Sequence, residues 1–271
     1  ATLGEIVACD RAELDLCDPD AIRRVVRRVE PYLIVNAAAY TAVDRAEADE
    51  GTAMAANGVA PGILAEEAAR LNAGFVHYST DYVFDGRKDS AYDEQDPPNP
   101  LNVYGRTKLA GETAIRQSRV SYLILRTSWV YGSRGNNFLR TIVRLSGERD
   151  ELRVVHDQIG APTWSRMIAE ATAQMLSRCL SGRGVDFDRY MGIYHMTAAG
   201  AVSWCEFVTA ILERRAPGAG QQITVVPVRS EEYQTAAVRP RNSLLSNEKL
   251  VQTFGITLPD WKLGLRLCMQ D

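Results

Sequence analysis

The sequence predicts an α/β chain: a Rossmann-type, doubly wound parallel sheet with a smaller C-terminal substrate-binding lobe. Three observations predict it. Short apolar runs alternate with longer helical patterns through the first half of the chain, as βαβ units do. One of those runs, Gly74-Phe75-Val76-His77-Tyr78-Ser79-Thr80-Asp81, ends in hydroxyls and a carboxylate, and open α/β sheets bind ligands just outside the carboxyl ends of their strands. After residue 150 the alternation breaks into shorter pieces punctuated by Pro162, Pro217, Pro227, Pro240 and Pro259.

In chain order, Ile6–Cys9, Leu33–Ala37, Phe75–Ser79 and Tyr122–Thr127 read as strands, each a short run of mainly apolar residues between helical segments. The helices between them read as Asp18–Val29, Ala53–Leu71 and Thr107–Gln117. The first carries its own start signal, Asp18 as N-cap and Pro19 at the first helical position. Right-handed crossovers are the expected connections. Further on, Arg166–Leu180 reads as a helix, Gly192–Thr197 as a late strand, and Ala216-Pro217-Gly218-Ala219-Gly220 as a flexible loop. The expected organisation is a cofactor domain over residues 1–152, with 166–197 also packing there, and a lobe formed mainly by 153–271. There is no internal repeat and no low-complexity tract.

Composition narrows the function classes. The 271 residues carry 46% hydrophobic residues and a net charge of −3, ordinary for a globular enzyme and no footprint for nucleic acid or an anionic membrane. No apolar stretch reaches the 18 or so residues of a membrane-spanning helix. Five scattered cysteines (9, 17, 179, 205, 268) without a Cys-x-x-Cys read as reduced packing residues of a cytoplasmic protein. His77, His156 and His195 form no metal-ligand spacing.

The chemistry concentrates in Tyr104-Gly105-Arg106-Thr107-Lys108. On a helix, the phenol of Tyr104 and the ammonium of Lys108 leave from one face, one turn apart. A cation close to a phenol favours the phenolate and makes the group usable as a general acid or base. Thr80, at the end of the Phe75–Ser79 run, would hold a carbonyl oxygen beside the phenol. A half-buried Tyr flanked by a surface Lys would give the same four-residue spacing.

Context decides between these. Tyr104-x-x-x-Lys108 behind Ser79-Thr80-Asp81-Tyr82-Val83-Phe84 resembles the extended short-chain dehydrogenase/reductases, sugar-nucleotide branch. The closest family resemblance is to the dTDP-4-dehydrorhamnose reductases. It rests on Val35-Asn36-Ala37-Ala38-Ala39-Tyr40-Thr41-Ala42-Val43-Asp44, Pro100–Gly105, Arg126-Thr127-Ser128-Trp129-Val130-Tyr131, Asp157-Gln158-Ile159-Gly160-Ala161-Pro162-Thr163, Arg239-Pro240-Arg241-Asn242-Ser243 and Pro259-Asp260-Trp261. The resemblance implies NADPH or NADH as cofactor and a dTDP-4-keto-6-deoxy sugar as substrate. Tyr104, Lys108 and Thr80 are the implied catalytic set, and Thr80, Asp81 and Trp129 the implied substrate contacts. Asp10 would bond the ribose 2′-hydroxyl of NAD, Arg11 would instead meet the 2′-phosphate of NADP, and Asp15 and Leu16 would meet the adenine. Asp10 and Asp15 also read as ordinary turn residues. Ala38, Ala39 and Tyr40 would border the cofactor, together with Tyr104 and Lys108, and Trp129 reads equally as a core residue. Some relatives form homodimers with magnesium at the interface, at a place nothing in this sequence locates.

One departure stands out. The family opens with a strand and a Gly-rich turn that seats the pyrophosphate on a helix N-terminus. Here Leu3–Asp10 already matches the family's second strand, and Gly132-Ser133-Arg134-Gly135 lacks the glycine pattern to substitute. The expectation is a fragment of a longer protein. Two other functions remain open at this point: another nucleotide-linked 4-keto-6-deoxysugar reductase, and a non-catalytic regulatory subunit like the β subunit of methionine adenosyltransferase.

Overall fold

The computed structural model describes residues 3–181, 184–185, 187, 189–214 and 223–270. At its centre four parallel strands lie in the order Leu33–Asn36, Gly74–Thr80, Tyr122–Thr127, Gly192–His195. Alternate residues of these strands serve opposite faces. Phe75 and Ile124 pack with Ile22, Val26, Ile63, Leu64 and Ile115, from the helices Pro19–Val29, Ala60–Arg70 and Val103–Gln117. Val76, Leu123 and Leu125 pack on the other side with Met167, Ile168, Ala171 and Met175 of the helix Ser165–Cys179. Helices thus cover both faces of a parallel sheet. Each aliphatic or aromatic side chain fully buried in this way contributes about 1.5–3 kcal/mol.

Outside the central sheet, Glu151–Val155 and Thr224–Val228 form a parallel pair. The helix Trp204–Glu213 starts from a capping box in which Ser203 and Glu206 satisfy each other's backbone N–H groups. The late strand Gly192–His195 pairs with Tyr122–Thr127 and so joins the central sheet.

Several elements depart from expectation. Ile6–Cys9 forms no strand: it pairs with no other strand, and Ile6 and Val7 are 71% and 56% exposed. A strand needs a hydrogen-bonding neighbour, and among the described residues the sheet ends at Leu33–Asn36 on that side. The expected helix Ala53–Leu71 is three pieces: Glu50–Met54, a π-helical turn Ala55–Val59, and Ala60–Arg70. The expected helix Thr107–Gln117 begins a turn earlier, at Val103. The loop expected at Ala216–Gly220 lies outside the described residues.

Candidate active site

Asn102 explains where the Tyr104 helix starts. Its Oδ1 accepts from Gly105 N at 2.8 Å, and its Nδ2 donates to Val238 O at 2.8 Å. Val103 N, another free donor of the first turn, reaches Glu47 Oε1 at 2.8 Å. Gly105 lies against the carbonyl of Tyr82, and any Cβ there would collide with that backbone. The helix therefore lies directly on the end of the Gly74–Thr80 strand. Tyr104 and Thr80 share a side-chain hydrogen bond, and Tyr82 meets Tyr104 edge-on with ring centroids 5.7 Å apart.

Lys108 is buried, and its Nζ donates to Tyr78 O at 2.6 Å and lies 3.1 Å from His77 Nε2. The expected lowering of the Tyr104 pKa by Lys108 is not met in this arrangement. Loss of solvent pushes the phenol up to about 12; the Thr80 hydrogen bond opposes the rise and the charge of Asp81 adds to it. Burial likewise pushes Lys108 down to about 8, against the favourable charge of Glu112. The reason is direction: the ammonium turns toward the sheet, where fixed acceptors hold it.

Asp81 is 3% exposed and accepts from Thr80 Oγ1 at 2.9 Å and Ser128 Oγ at 3.3 Å. Burial dominates its titration and raises its carboxyl to about 6, with bonds to Ser243, Thr80 and Ser128 pulling the other way. Behind it lies a deeper network. Glu112 accepts from Ser79 Oγ at 2.5 Å and from Arg126 Nε and Nη2 at 2.9 and 2.7 Å, every partner buried. This bidentate pair ties the Tyr104 helix to two strands of the sheet.

A cavity of about 1740 Å³ opens at this edge. Its lining includes Ala37, Ala39, Thr41 and Asp44 from the first sheet strand onward, Thr80, Asp81, Tyr104 and Lys108, and the aromatic residues Trp129, Phe138 and Trp204. Trp129 stacks on Trp204 with centroids 3.5 Å apart and planes 6° from parallel. Its backbone is left-handed, φ 48°, uncommon for a bulky residue. Gly160 lies against its indole, where a Cβ would leave no room, so Asp157–Thr163 contributes shape as well as sequence identity.

Thr80, Asp81, Tyr104, Lys108, Trp129 and Ala39 thus share one cavity. Other expected contacts do not. Ala38 and Tyr40 are not among its lining residues; Tyr40 turns aside, its hydroxyl donating to Asp49 Oδ2 at 3.1 Å. Asp10, Arg11, Asp15 and Leu16 also lie outside it. Asp10 Oδ1 accepts from Ala12 N and Glu13 N at 2.8 and 3.1 Å, the turn role, and Arg11 pairs with Asp15 at 3.5 Å. Leu16 packs against the helix-covered face. No group of three or more His, Cys, Asp or Glu able to hold a metal exists among the described residues, and no observation supports the magnesium that the resemblance implied.

Two features escaped the sequence reading. Asn57, fully buried in the π turn, accepts from Tyr40 N at 2.8 Å and donates to Tyr40 O and Thr107 Oγ1 at 3.0 and 3.2 Å. It fastens the loop after the first sheet strand to the Tyr104 helix; its only sequence signal was an amide inside an apolar helical pattern. Arg239 reaches across the cavity to Asp44, Nη1 to Oδ1 at 3.1 Å and Nη2 to Oδ2 at 2.6 Å, and Ala237 N joins it at 3.1 Å. Both residues belonged to quoted motifs, but nothing in the sequence paired them.

Residues 1–271 match the family described as RmlD substrate binding domain. The dTDP-4-dehydrorhamnose reductase of Burkholderia thailandensis is 48% identical, with 100% of this chain and 92% of that protein covered. That of Escherichia coli K12 is 41% identical, over 100% of this chain and 91% of the relative. Among solved structures, the dTDP-4-dehydrorhamnose reductase of Bacillus anthracis in complex with NADP is similar at a TM-score of 0.89 and 34% identity, covering 98% of this chain and 90% of that one.

Proposed function

Because the chain belongs to the dTDP-4-dehydrorhamnose reductase family, we propose that it reduces the C4 ketone of dTDP-4-dehydro-L-rhamnose to dTDP-L-rhamnose, using NADPH or NADH. The observation that carries this reading is the meeting of Thr80, Tyr104 and Lys108 at the carboxyl edge of a parallel sheet, inside one cavity. A nicotinamide cofactor, when bound, supplies the hydride. The small side chains of Ala37 and Ala39 fit the close approach of such a group to the backbone. The protein's own residues do the rest. Thr80 orients the ketone oxygen beside the phenol. Tyr104, with a pKa near 12, stays protonated through the neutral range and gives up its proton only as the alkoxide develops. Lys108 keeps one N–H beyond those held by the sheet side, free for a ribose hydroxyl or the phenol. Trp129 and Asp81 border the sugar nucleotide.

The test is direct. Purified protein is mixed with NADPH or NADH and dTDP-4-dehydro-L-rhamnose, and nicotinamide absorbance is followed while the product is identified by mass and NMR. Turnover to dTDP-L-rhamnose is expected. Turnover only of a different dTDP-4-keto sugar would reassign the substrate, and no turnover of any would end the reductase reading.

A further inference from the structure

The ammonium of Lys108 is held by a group outside the Thr80, Tyr104 and Lys108 set. His77 Nε2 lies 3.1 Å from Lys108 Nζ, and on the far side of the ring His77 Nδ1 lies 3.1 Å from Asn36 Nδ2. The arrangement follows from the sheet. His77 and Asn36 are register partners on adjacent parallel strands, so their side chains share a face, and both are buried, at 1% and 5% exposure. The ring also stacks on Phe75, centroids 6.3 Å apart. Burial, and then the charge of Lys108, hold the imidazole neutral, well below its ordinary value.

A neutral imidazole carries one proton and so donates at one nitrogen and accepts at the other. When the ammonium donates to Nε2, the proton sits on Nδ1, and Asn36 must meet it with its amide oxygen, a half-turn of the amide. In that state the Tyr78 carbonyl and His77 take two of the three ammonium hydrogens, and the third faces the cavity. Resting on the reductase reading above, we propose that His77 is a positioning residue for catalysis: it holds the Lys108 ammonium charged and aimed at the reacting site, with Asn36 fixing the ring's tautomer.

The surrounding charges are few. On the Lys108 helix, Glu112 stands one turn on, already engaged by Arg126 and Ser79, and Tyr104 one turn back. The Tyr122–Thr127 strand contributes Arg126, and the end of the His77 strand leads into Asp81. The Leu33–Asn36 strand contributes the uncharged Asn36. Removing the acceptor should therefore lower the pKa of Lys108, because the Tyr78 carbonyl and the charge of Glu112 are left to support the ammonium without it.

Two variants test this. His77→Phe keeps an aromatic ring in the stack and removes both nitrogens; His77→Gln restores an acceptor for Lys108. The first measurement needs no substrate: the pH dependence of reductive methylation at Lys108, read by peptide mass spectrometry. The labelling midpoint of His77→Phe should fall by about one pH unit, the scale of one hydrogen bond to a charged group, and His77→Gln should stay near wild type. In turnover, kcat of His77→Phe should fall roughly tenfold, again about one hydrogen bond to a charged group, with its alkaline limb shifted the same way and KM for the keto sugar unchanged, while His77→Gln recovers most of the loss. An unchanged midpoint and pH profile in His77→Phe, or a His77→Gln protein as impaired as His77→Phe, overturns the proposal. If His77→Phe is not recovered folded, His77→Met makes the same comparison. A wild-type protein without reductase activity would sink the reductase reading, while the labelling comparison would still decide whether His77 holds Lys108.

Discussion

Thr80–Asp81 and Asp10–Arg11 both read, in the sequence, as polar residues closing a parallel strand, yet the structure treats them oppositely. Thr80 and Asp81 are buried and bound to each other, to Ser128 and to Tyr104, partners drawn from across the fold. Asp10 and Arg11 are exposed and bonded to their near neighbours Ala12, Glu13, Leu14 and Asp15. The difference lies in the strands behind them. Gly74–Thr80 is paired on both sides, whereas Ile6–Cys9 is paired on neither. A polar strand end becomes a site when flanking strands and a crossing helix fix it from several directions; without them it caps its own turn.

The sharpest way to test the first region is Tyr104→Phe. It removes the transferable proton and keeps the ring, so kcat should drop about 10²–10⁴-fold while substrate still binds. Near-normal turnover would remove Tyr104 from the chemistry. Next is Glu112→Ala, which strands the buried Arg126 charge. Unfolding in urea should show a loss of about 3–5 kcal/mol, and a loss under 1 kcal/mol would mean the region is not over-determined in the way its bonds suggest.

Asp81 gives a smaller effect with a sign. Its carboxyl is raised from 3.8 to about 6, so the folded state binds its proton more tightly than the unfolded state. The stability this adds is full below about pH 4 and is lost as pH rises through about 6. A shift of that size corresponds to at most about 3 kcal/mol. Asp81→Asn should flatten that slope, seen as the difference in melting temperature between acid and neutral pH; an unaltered slope would place the titration elsewhere. The smallest effect is expected in the other region. Arg11→Ala should leave the melting temperature and the KM for both NADPH and NADH unchanged; a KM raised for NADPH more than for NADH would place Arg11 at the 2′ position after all.

Much of the scaffold was legible because its signals are local. Asp18 and Pro19 announced the first helix, and the apolar run Tyr122–Thr127 is a strand over those same residues. Thr80, Asp81, Tyr104 and Lys108 were legible because strand ends and helical spacing bring them together. What stayed hidden depends on partners distant in sequence. The Tyr104 helix starts at Val103 because Asn102 and Glu47 satisfy its first donors. Lys108 points into the sheet because His77 and the Tyr78 carbonyl are there to receive it. Trp129 finds Trp204, and Asp44 finds Arg239, across long stretches of chain, and no periodicity records such pairings.

The π turn at Ala55–Val59 makes this helix sensitive to the number of its residues more than to their identity. A π turn holds one more residue than an α turn. Deleting any one residue from Ala55–Val59 would leave an unbroken α pattern from Glu50 to Arg70, with no loss of helical propensity. Because the wider turn already takes up the extra residue, the segments before and after it would keep their rotation about the axis, and Ile63 and Leu64 their places in the core; what would be lost is the widened turn that carries Asn57 to Tyr40 and Thr107. Substitution at a position such as Val59, 48% exposed, alters only a surface side chain. Loss of a single codon in the same turn would unfasten the Tyr40 loop from the Tyr104 helix, and variation along this stretch is therefore expected to change letters while conserving length.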